Sequence, residues 1–424
     1  MKILHLSAFE QSGGAARAAM RLHEGLLVDG VDSQVLVMNK RSHKVEVLAS
    51  TSKVIQPFNA RARPRMDALP LILYPNKMDT PWNVGWLPSG LRSKINAINP
   101  DVVHMHWVGS GFFSIEEMKN LPGNWVWTMH DAWAFTGGCH ILGECISFKG
   151  VCNYCPQLGS QQKDDLSHQG WLRRQELFSI RKPIVIAPSK WMSEQIRSSN
   201  LLGNSQIELI PNGLDTSIYY PMDKLASRKT LGIAFDKPVI LFGALGAKLN
   251  KNKGYDKFKE ALLVLRKKYS ADQIQLVVFG NNQTDQEYDF GFKILSLGKL
   301  NSDEALVCAY TAADVLCVPS LQESFGQVAS EGMACGTPVV AFATSGLLDI
   351  VDHLTTGYLA KPFDVVDFAN GIDYVLSDKI RAQTLSIASR ERSLEKFDIN
   401  VVVESHQNLY EKLKGISSKP SEIR

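Results

Sequence analysis

Short apolar runs alternate with amphipathic stretches along this chain. MKILHLSAF predicts a strand, and Ala15–Asp29 carries helical spacing. SQVLVMN, DVVHMHW, NWVWTMH and PIVIAPS read as further strands. Ser189 then caps a helix, KWMSEQIRSS, with Glu194 in its early turns. The pattern restarts after residue 235. PVILFGA, IQLVVFG, FKILSLG, VLCVPS, TPVVAFA and GYLAKP read as strands, with helices at YDKFKEALLVLRKKY, SDEALVCAYTAA and GQVASEGMAC. Strands separated by helices imply βαβ units and parallel sheets. The expected organisation is two Rossmann-like α/β domains, at residues 1–210 and 211–395. They join at IELIPNGLDTSIYYPMD, whose Pro, Gly and Asp residues mark a linker with its boundary near Pro211. Residues 396–424 read as a C-terminal helix, with a return to the first domain as one option, and a frayed tail.

A length of 424 residues supports two or three domains, and 45% hydrophobic with 21% charged residues excludes a disordered chain. The 46 basic and 43 acidic residues leave a formal charge of +3, so nothing points to nucleic acid as a partner. No apolar run reaches the length a membrane-spanning helix needs. His5, Ser7 and Glu10 interrupt the opening run, and no small-residue cleavage site follows, so it reads as a buried strand. A cytoplasmic protein that keeps its N-terminus is expected.

Two doubly wound domains facing each other place a cleft between the carboxyl ends of both sheets, where ligands bind in such folds. The most informative stretch there is PSLQESFGQVASEGMACGTPVVAFATSGLLD, Pro319–Asp349. Glu323 ends a strand-to-loop turn, and Ser324, Phe325 and Gly326 lead into a helix. Free amides at a helix N-terminus, with the dipole behind them, suit phosphate. Glu331 lies inside that helix and suits a pair of sugar hydroxyls. Elsewhere, Ser12, Gly13 and Gly14 form a turn after the first strand, with Arg17 one helical turn on. His130 and Asp131 end the strand NWVWTM, at the edge where cleft residues belong. A histidine there can donate a hydrogen bond to a sugar, while Asp131 either orients it or caps the next segment. His104 and His106 also end a strand, and their alternation is read as one facing each side of the sheet.

With these motifs the chain resembles the retaining nucleotide-sugar glycosyltransferases of family 4, which have the two-domain GT-B fold. The resemblance covers nearly the whole chain and is strongest from Pro319 to Gly357. It implies that Glu323 contacts the donor sugar hydroxyls and that backbone amides of Ser324, Phe325 and Gly326 hold sugar and phosphates. It implies that Glu331 binds the ribose, that Gly13 and Gly14 lie beside sugar and diphosphate, and that His130 lines the sugar pocket. The family often carries Glu where Asp349 stands. Its Arg followed by Lys-Gly clamps the diphosphate. Lys253-Gly254 matches the lysine, but the arginine is missing, and either Lys248 or Ala244 occupies its place. A lysine supplies charge without a bidentate fork. Expected catalytic residues are therefore His130, Glu323 and Lys253, acting on a nucleotide-diphosphate sugar. No Asp-x-Asp occurs in the chain, so no divalent metal is expected in catalysis. Retention is implied by the resemblance, and a front-face mechanism fits the lack of a second base. The acceptor class is a glycan or lipid-linked hydroxyl in bacterial surface polysaccharide synthesis. A nucleotide-sugar epimerase of the same fold and an inactive nucleotide-sugar-binding partner are the alternatives.

Two features lie outside that scheme. Cys139, Cys145, Cys152 and Cys155 fall within seventeen residues, in a loop spanning residues 136–158. Four thiols in one loop, with His140 beside them, can surround a structural zinc; free thiols and two disulfides are the other readings. The other three cysteines, Cys308, Cys317 and Cys335, read as core thiols. Residues 51–100 hold seven Lys/Arg against two Asp/Glu, including RARPRMDALPLILYPNK. Basic residues beside exposed apolar ones suit an anionic membrane surface, and a solvated loop is the alternative.

Overall fold

The computed structural model describes residues 1–243, 250–280 and 290–417. It divides into two compact units: Met1–Gly213 together with the chain from Val402 onward, and Leu214–Val401. The first unit holds β1 (Lys2–Leu6), β2 (Asp32–Val37), β3 (Val47–Ala49), β4 (Val102–Met105), β5 (Asn124–Thr128), β6 (Ile184–Ala187) and β7 (Ile207–Leu209). They form one sheet in the order β3-β2-β1-β4-β5-β6-β7. The second unit holds β8 (Val239–Gly243), β9 (Gln275–Phe279), β10 (Lys293–Ser296), β11 (Val315–Val318), β12 (Val339–Phe342) and β13 (Gly357–Ala360). Their order is β10-β9-β8-β11-β12-β13.

Every pairing between these strands is parallel. Both sheets are doubly wound: strand order reverses between β1 and β4, and between β8 and β11. That crevice is where ligands bind in open α/β sheets. Two strands, β3 and β7, escape the sequence reading, and β7 lies inside the segment read as linker. Each is three residues long, too short for periodicity to show.

Parallel strands are covered on both faces, so successive residues feed opposite cores. In the second unit Val239 and Leu241 join one core while Ile240 and Phe242 join the other. The first unit departs from this. Leu4, Leu6, Val103 and Met105 join a large apolar core, but the intervening His5 and His104 are wholly buried on the other face. The helix Gly14–Val28 covers that face with Ala16, Ala19, Leu22, His23 and Leu26 buried. From Val402 the helix Ile399–Ser417 also packs on the first unit, burying Val402, Val403, His406, Leu409, Tyr410 and Leu413. The Tyr410 hydroxyl lies 2.6 Å from Nδ1 of His104, a polar clasp inside an apolar seam.

Candidate functional site

In the second unit the loops after β8, β11 and β12 converge at the strand-order reversal. Asn252 donates to the Gln322 carbonyl at 2.7 Å, and the Leu321 amide donates to the Asn252 carbonyl at 2.8 Å. These bonds bring Lys253 to Glu323, with Nζ 2.7 Å from Oε1. Both side chains are largely but not wholly shielded from water. The Glu323 backbone is fixed from the third loop. Its amide donates to Ser345 Oγ at 2.8 Å, and its carbonyl accepts from the Gly346 amide at 2.8 Å. The Phe325 side chain turns inward against Phe397, leaving its backbone to line the turn. Gly326 follows at φ 116° as the N-cap of the helix Gln327–Ala334, and no side chain caps that helix. An uncapped helix N-terminus beside a lysine is a ready anion site. Glu331, one turn in, is buried and accepts the Tyr310 hydroxyl at 2.9 Å. Lys248 and Ala244 lie outside the described residues.

Gly254 is required by this geometry. Its φ is +68°, and an added Cβ would sit 1.9 Å from the Pro319 carbonyl oxygen. Gly254→Ala is expected to displace Lys253 from Glu323. The expected result is a melting temperature lower by a few degrees and a raised KM for any phosphate-bearing ligand. Thermal scans and ligand titrations check it; an unchanged KM would remove the loop from the site.

In the first unit Gly13, at φ 88°, and Gly14 are exposed at the start of their helix, and a Cβ on Gly13 would meet nothing within 4 Å. Arg17 is half-buried one turn later. His130 is half-buried just past β5, and its Nε2 lies 3.0 Å from His106 Nδ1. Burial pushes its pKa down to about 4 against the opposing pull of Asp131, so the imidazole is neutral at physiological pH. Asp131 does not hold His130. Its Oδ2 meets Trp107 Nε1 and His140 Nδ1, each at 2.7 Å, and its Oδ1 accepts from the Trp133 amide at 2.8 Å. It thus caps the segment that follows. A small cavity lies among His106, Trp107, His130, Asp131, Trp133 and His140.

The expectation that His104 and His106 face opposite sides is overturned. Residues two apart on a strand share a face, and the two rings lie 4.2 Å apart.

All seven cysteines are free. Cys139 and Cys155 pack with Leu71, Trp82, Val84 and Leu158, while Cys152 joins the large core. Burial pushes the Cys139 and Cys155 thiols up, and Cys152 up to about 12. Among the described residues one set of three or more candidate ligands has its atoms within 4.8 Å of one another, and it is His5, His104 and His106. Cys145 is half-buried and belongs to neither cluster, and the four thiols of the loop lie near enough to act on one another electrostatically. Cys308, Cys317 and Cys335 are buried as expected.

Comparison with known proteins decides the class. Residues 12–218 match glycosyltransferase family 4, and residues 223–392 match the glycosyl transferases group 1. The chain belongs to the family 4, group 1 glycosyltransferases. This glycosyltransferase is 29% identical over 346 residues to an uncharacterized glycosyltransferase of Methanocaldococcus jannaschii, covering 74% of the chain and 85% of that protein. It is 24% identical to Escherichia coli WcaC, a glycosyl transferase named for colanic acid biosynthesis, over 97% of the chain and all of WcaC.

Among solved structures, sucrose-phosphate synthase from Thermosynechococcus elongatus superposes with a TM-score of 0.72 at 21% identity, covering 98% of this chain and 99% of that one. Anabaena HepE, in complex with UDP-glucose, gives 0.66 at 17% identity, covering 97% and 100%. These likenesses show that the glycosyltransferase has the GT-B fold of two Rossmann-like domains. Its supporting residues Asn252, Ser345 and Tyr310 carry no motif of their own and were missed by sequence reading. His5 left a signal that was read only as an interruption: a polar residue inside an otherwise apolar parallel strand needs a partner on a neighbouring strand.

Proposed function

We propose that this protein moves a sugar from a nucleoside-diphosphate donor to a hydroxyl of a glycan or lipid-linked acceptor, with retention, in surface polysaccharide synthesis. The observation that carries the donor class is the Lys253–Glu323 pair beside the uncapped N-terminus at Gly326. Lys253 and the amides of Ser324, Phe325 and Gly326 take the charge that grows on the leaving diphosphate. Glu323 accepts from the sugar hydroxyls, and Glu331 from the ribose. In the first unit, Gly13 and Gly14 let backbone approach the reacting groups, and His130 donates a hydrogen bond to the sugar. The leaving phosphate accepts the proton of the acceptor hydroxyl, so no separate base is assigned. With no Asp-x-Asp in the chain, Lys253 carries the neutralising role without a divalent ion. The UDP-glucose in HepE and the naming of WcaC support the donor and pathway classes.

The test offers a panel of nucleotide sugars with and without candidate acceptors, in the presence of a chelator, and follows released nucleoside diphosphate. Acceptor-dependent release supports transfer. Isomerised sugar without release would instead mean an epimerase, and saturable binding without turnover a binding partner.

A membrane-proximal acceptor is supported by one stretch of the chain, residues 53–77. Val54, Phe58, Ile72 and Leu73 are between 70% and 89% exposed, and Lys53, Arg61, Arg65 and Lys77 are exposed among them. Each basic residue near an anionic bilayer contributes roughly 1 kcal/mol. No helix among the described residues is long and apolar enough to cross a membrane, so this reading is of docking from one side. Vesicles containing anionic lipid are expected to bind the protein at physiological salt, and Phe58→Glu with Arg61→Glu to weaken binding at least tenfold. Absence of binding by the unaltered protein would sink the docking reading.

A further inference from the structure

Three imidazoles of the first unit lie in one line. Nδ1 of His5, on β1, is 2.9 Å from Nε2 of His106, and Nδ1 of His106 is 3.0 Å from Nε2 of His130. The ring centroids are 5.2 and 5.3 Å apart, with interplanar angles of 29° and 23°. Each centroid distance is close to the nitrogen separation plus two ring radii. The facing nitrogens therefore aim at each other in the ring planes, as hydrogen bonds require, and do not converge on a shared ion. His104, whose ring lies tilted against that of His106, is excluded from the line because both its nitrogens are engaged, by the Tyr410 hydroxyl at 2.6 Å and by Thr128 Oγ1 at 2.8 Å.

A neutral imidazole has one N–H and one lone pair. Each link in the line needs one of each, so the three tautomers are locked together and only two arrangements exist. In one, every ring carries its proton on Nδ1: His5 donates to His106, His106 donates to His130, and His130 presents an N–H outward. In the other, every proton sits on Nε2, and the line runs inward. The inner end separates them. His5 Nε2 is buried with no hydrogen-bond partner. The inward arrangement would leave an N–H there with no acceptor, whereas the outward one leaves only a lone pair. Orphaned buried N–H groups are the rarer and costlier of the two. The neighbouring carboxylate does not intervene, since Asp131 is bonded to Trp107, His140 and Trp133.

We propose that His5 and His106 are positioning residues that hold His130 in its Nδ1–H form, so that it offers a hydrogen-bond donor and not a base. The catalytic consequence rests on the proposed contact of His130 with the sugar; the tautomer itself does not.

The experiment reads the tautomer directly. Full-length protein labelled with 15N at histidine is examined at neutral pH by long-range proton–nitrogen correlation, with signals assigned by single substitutions. His130 is expected as Nδ1–H in the unaltered protein. In His106→Phe it is expected to shift toward Nε2–H, the form that predominates in a free histidine side chain. His106→Asn, whose amide can donate from near the former Nδ1 position, is expected to keep the Nδ1–H form, and it covers the case in which the Phe variant does not fold. An Nε2–H form in the unaltered protein, or an Nδ1–H form that survives His106→Phe, would overturn the proposal. In the donor assay kcat is expected to fall at least tenfold in His106→Phe, with KM for the donor unchanged, and to recover in His106→Asn. A tautomer that shifts while kcat does not would support the relay and remove His130 from the sugar site.

Discussion

Glu323→Gln is expected to lower donor turnover by about two to three orders of magnitude, the usual loss when one charge-stabilising group leaves an active site. Glutamine keeps the shape of the side chain and one acceptor oxygen. It removes the charge that holds Lys253 at 2.7 Å. Charge-assisted hydrogen bonds are about twice as strong as neutral ones, and this pair is largely shielded from solvent, so water restores little of the difference. The fold does not depend on that carboxylate. The Glu323 amide and carbonyl are held by Ser345 and Gly346, and both bonds survive the substitution. The melting temperature is therefore expected to stay within a few degrees while turnover collapses. Lys253→Ala should show a similar loss, and the double variant should lose much less than the two single losses combined, because the two groups act as a unit. Release of nucleoside diphosphate measures each. Full turnover in Glu323→Gln would end the assignment of this loop to the donor.

Acidification is expected to unfold the first unit between about pH 6 and pH 4.5. His5, His23, His104, His106, His130 and His406 all lie in that unit; five are buried and His130 is half-buried, and the pKa of each is lowered. For His23, His130 and His406 burial brings the pKa to about 4, and for the other three it is well below the ordinary 6.5. The sign follows from proton counting. Between pH 4 and 6.5 the unfolded chain binds protons that the folded chain refuses, so stability rises with pH. It is complete above 6.5 and falls as pH drops below it. Each histidine contributes on the order of 1.4 kcal/mol per pH unit, and six together exceed a typical domain stability of roughly 5–15 kcal/mol within about two units. All eight tryptophans, from Trp82 to Trp191, lie in this unit, so tryptophan fluorescence reports it selectively. A melting temperature that falls by at least about ten degrees between pH 7 and 5.5 is expected; a flat profile would mean that the cluster is solvated.

The alternation of apolar runs with amphipathic stretches specified both doubly wound sheets. A parallel strand buried on both faces reads as a near-continuous apolar run, broken here at His5 and His104, and few other structures produce that pattern between helices. The donor loop was legible for a related reason. Glu323, Ser324, Phe325, Gly326 and Glu331 lie within nine residues, so their spacing along the chain already reflects their spacing in space. Lys253 was legible through the Lys-Gly match to the family pattern, and glycine is needed there because a Cβ would run into the Pro319 carbonyl.

Tertiary structure alone decided what depends on neighbouring strands and distant helices. Lys253 and Glu323 are seventy residues apart, and the sequence does not show that they pair. The line from His5 through His106 to His130 crosses three strands whose adjacency is a matter of sheet order. The clasp of Tyr410 on His104 closes over three hundred residues of chain. Packing likewise decided the surroundings of the clustered cysteines: Cys152 joins the large core, and Cys139 and Cys155 a smaller one. Local spacing fixes which backbone a segment adopts. Which polar groups then meet is set by the order in which strands pair and by the need to satisfy each buried donor and acceptor, and neither is written within a single segment.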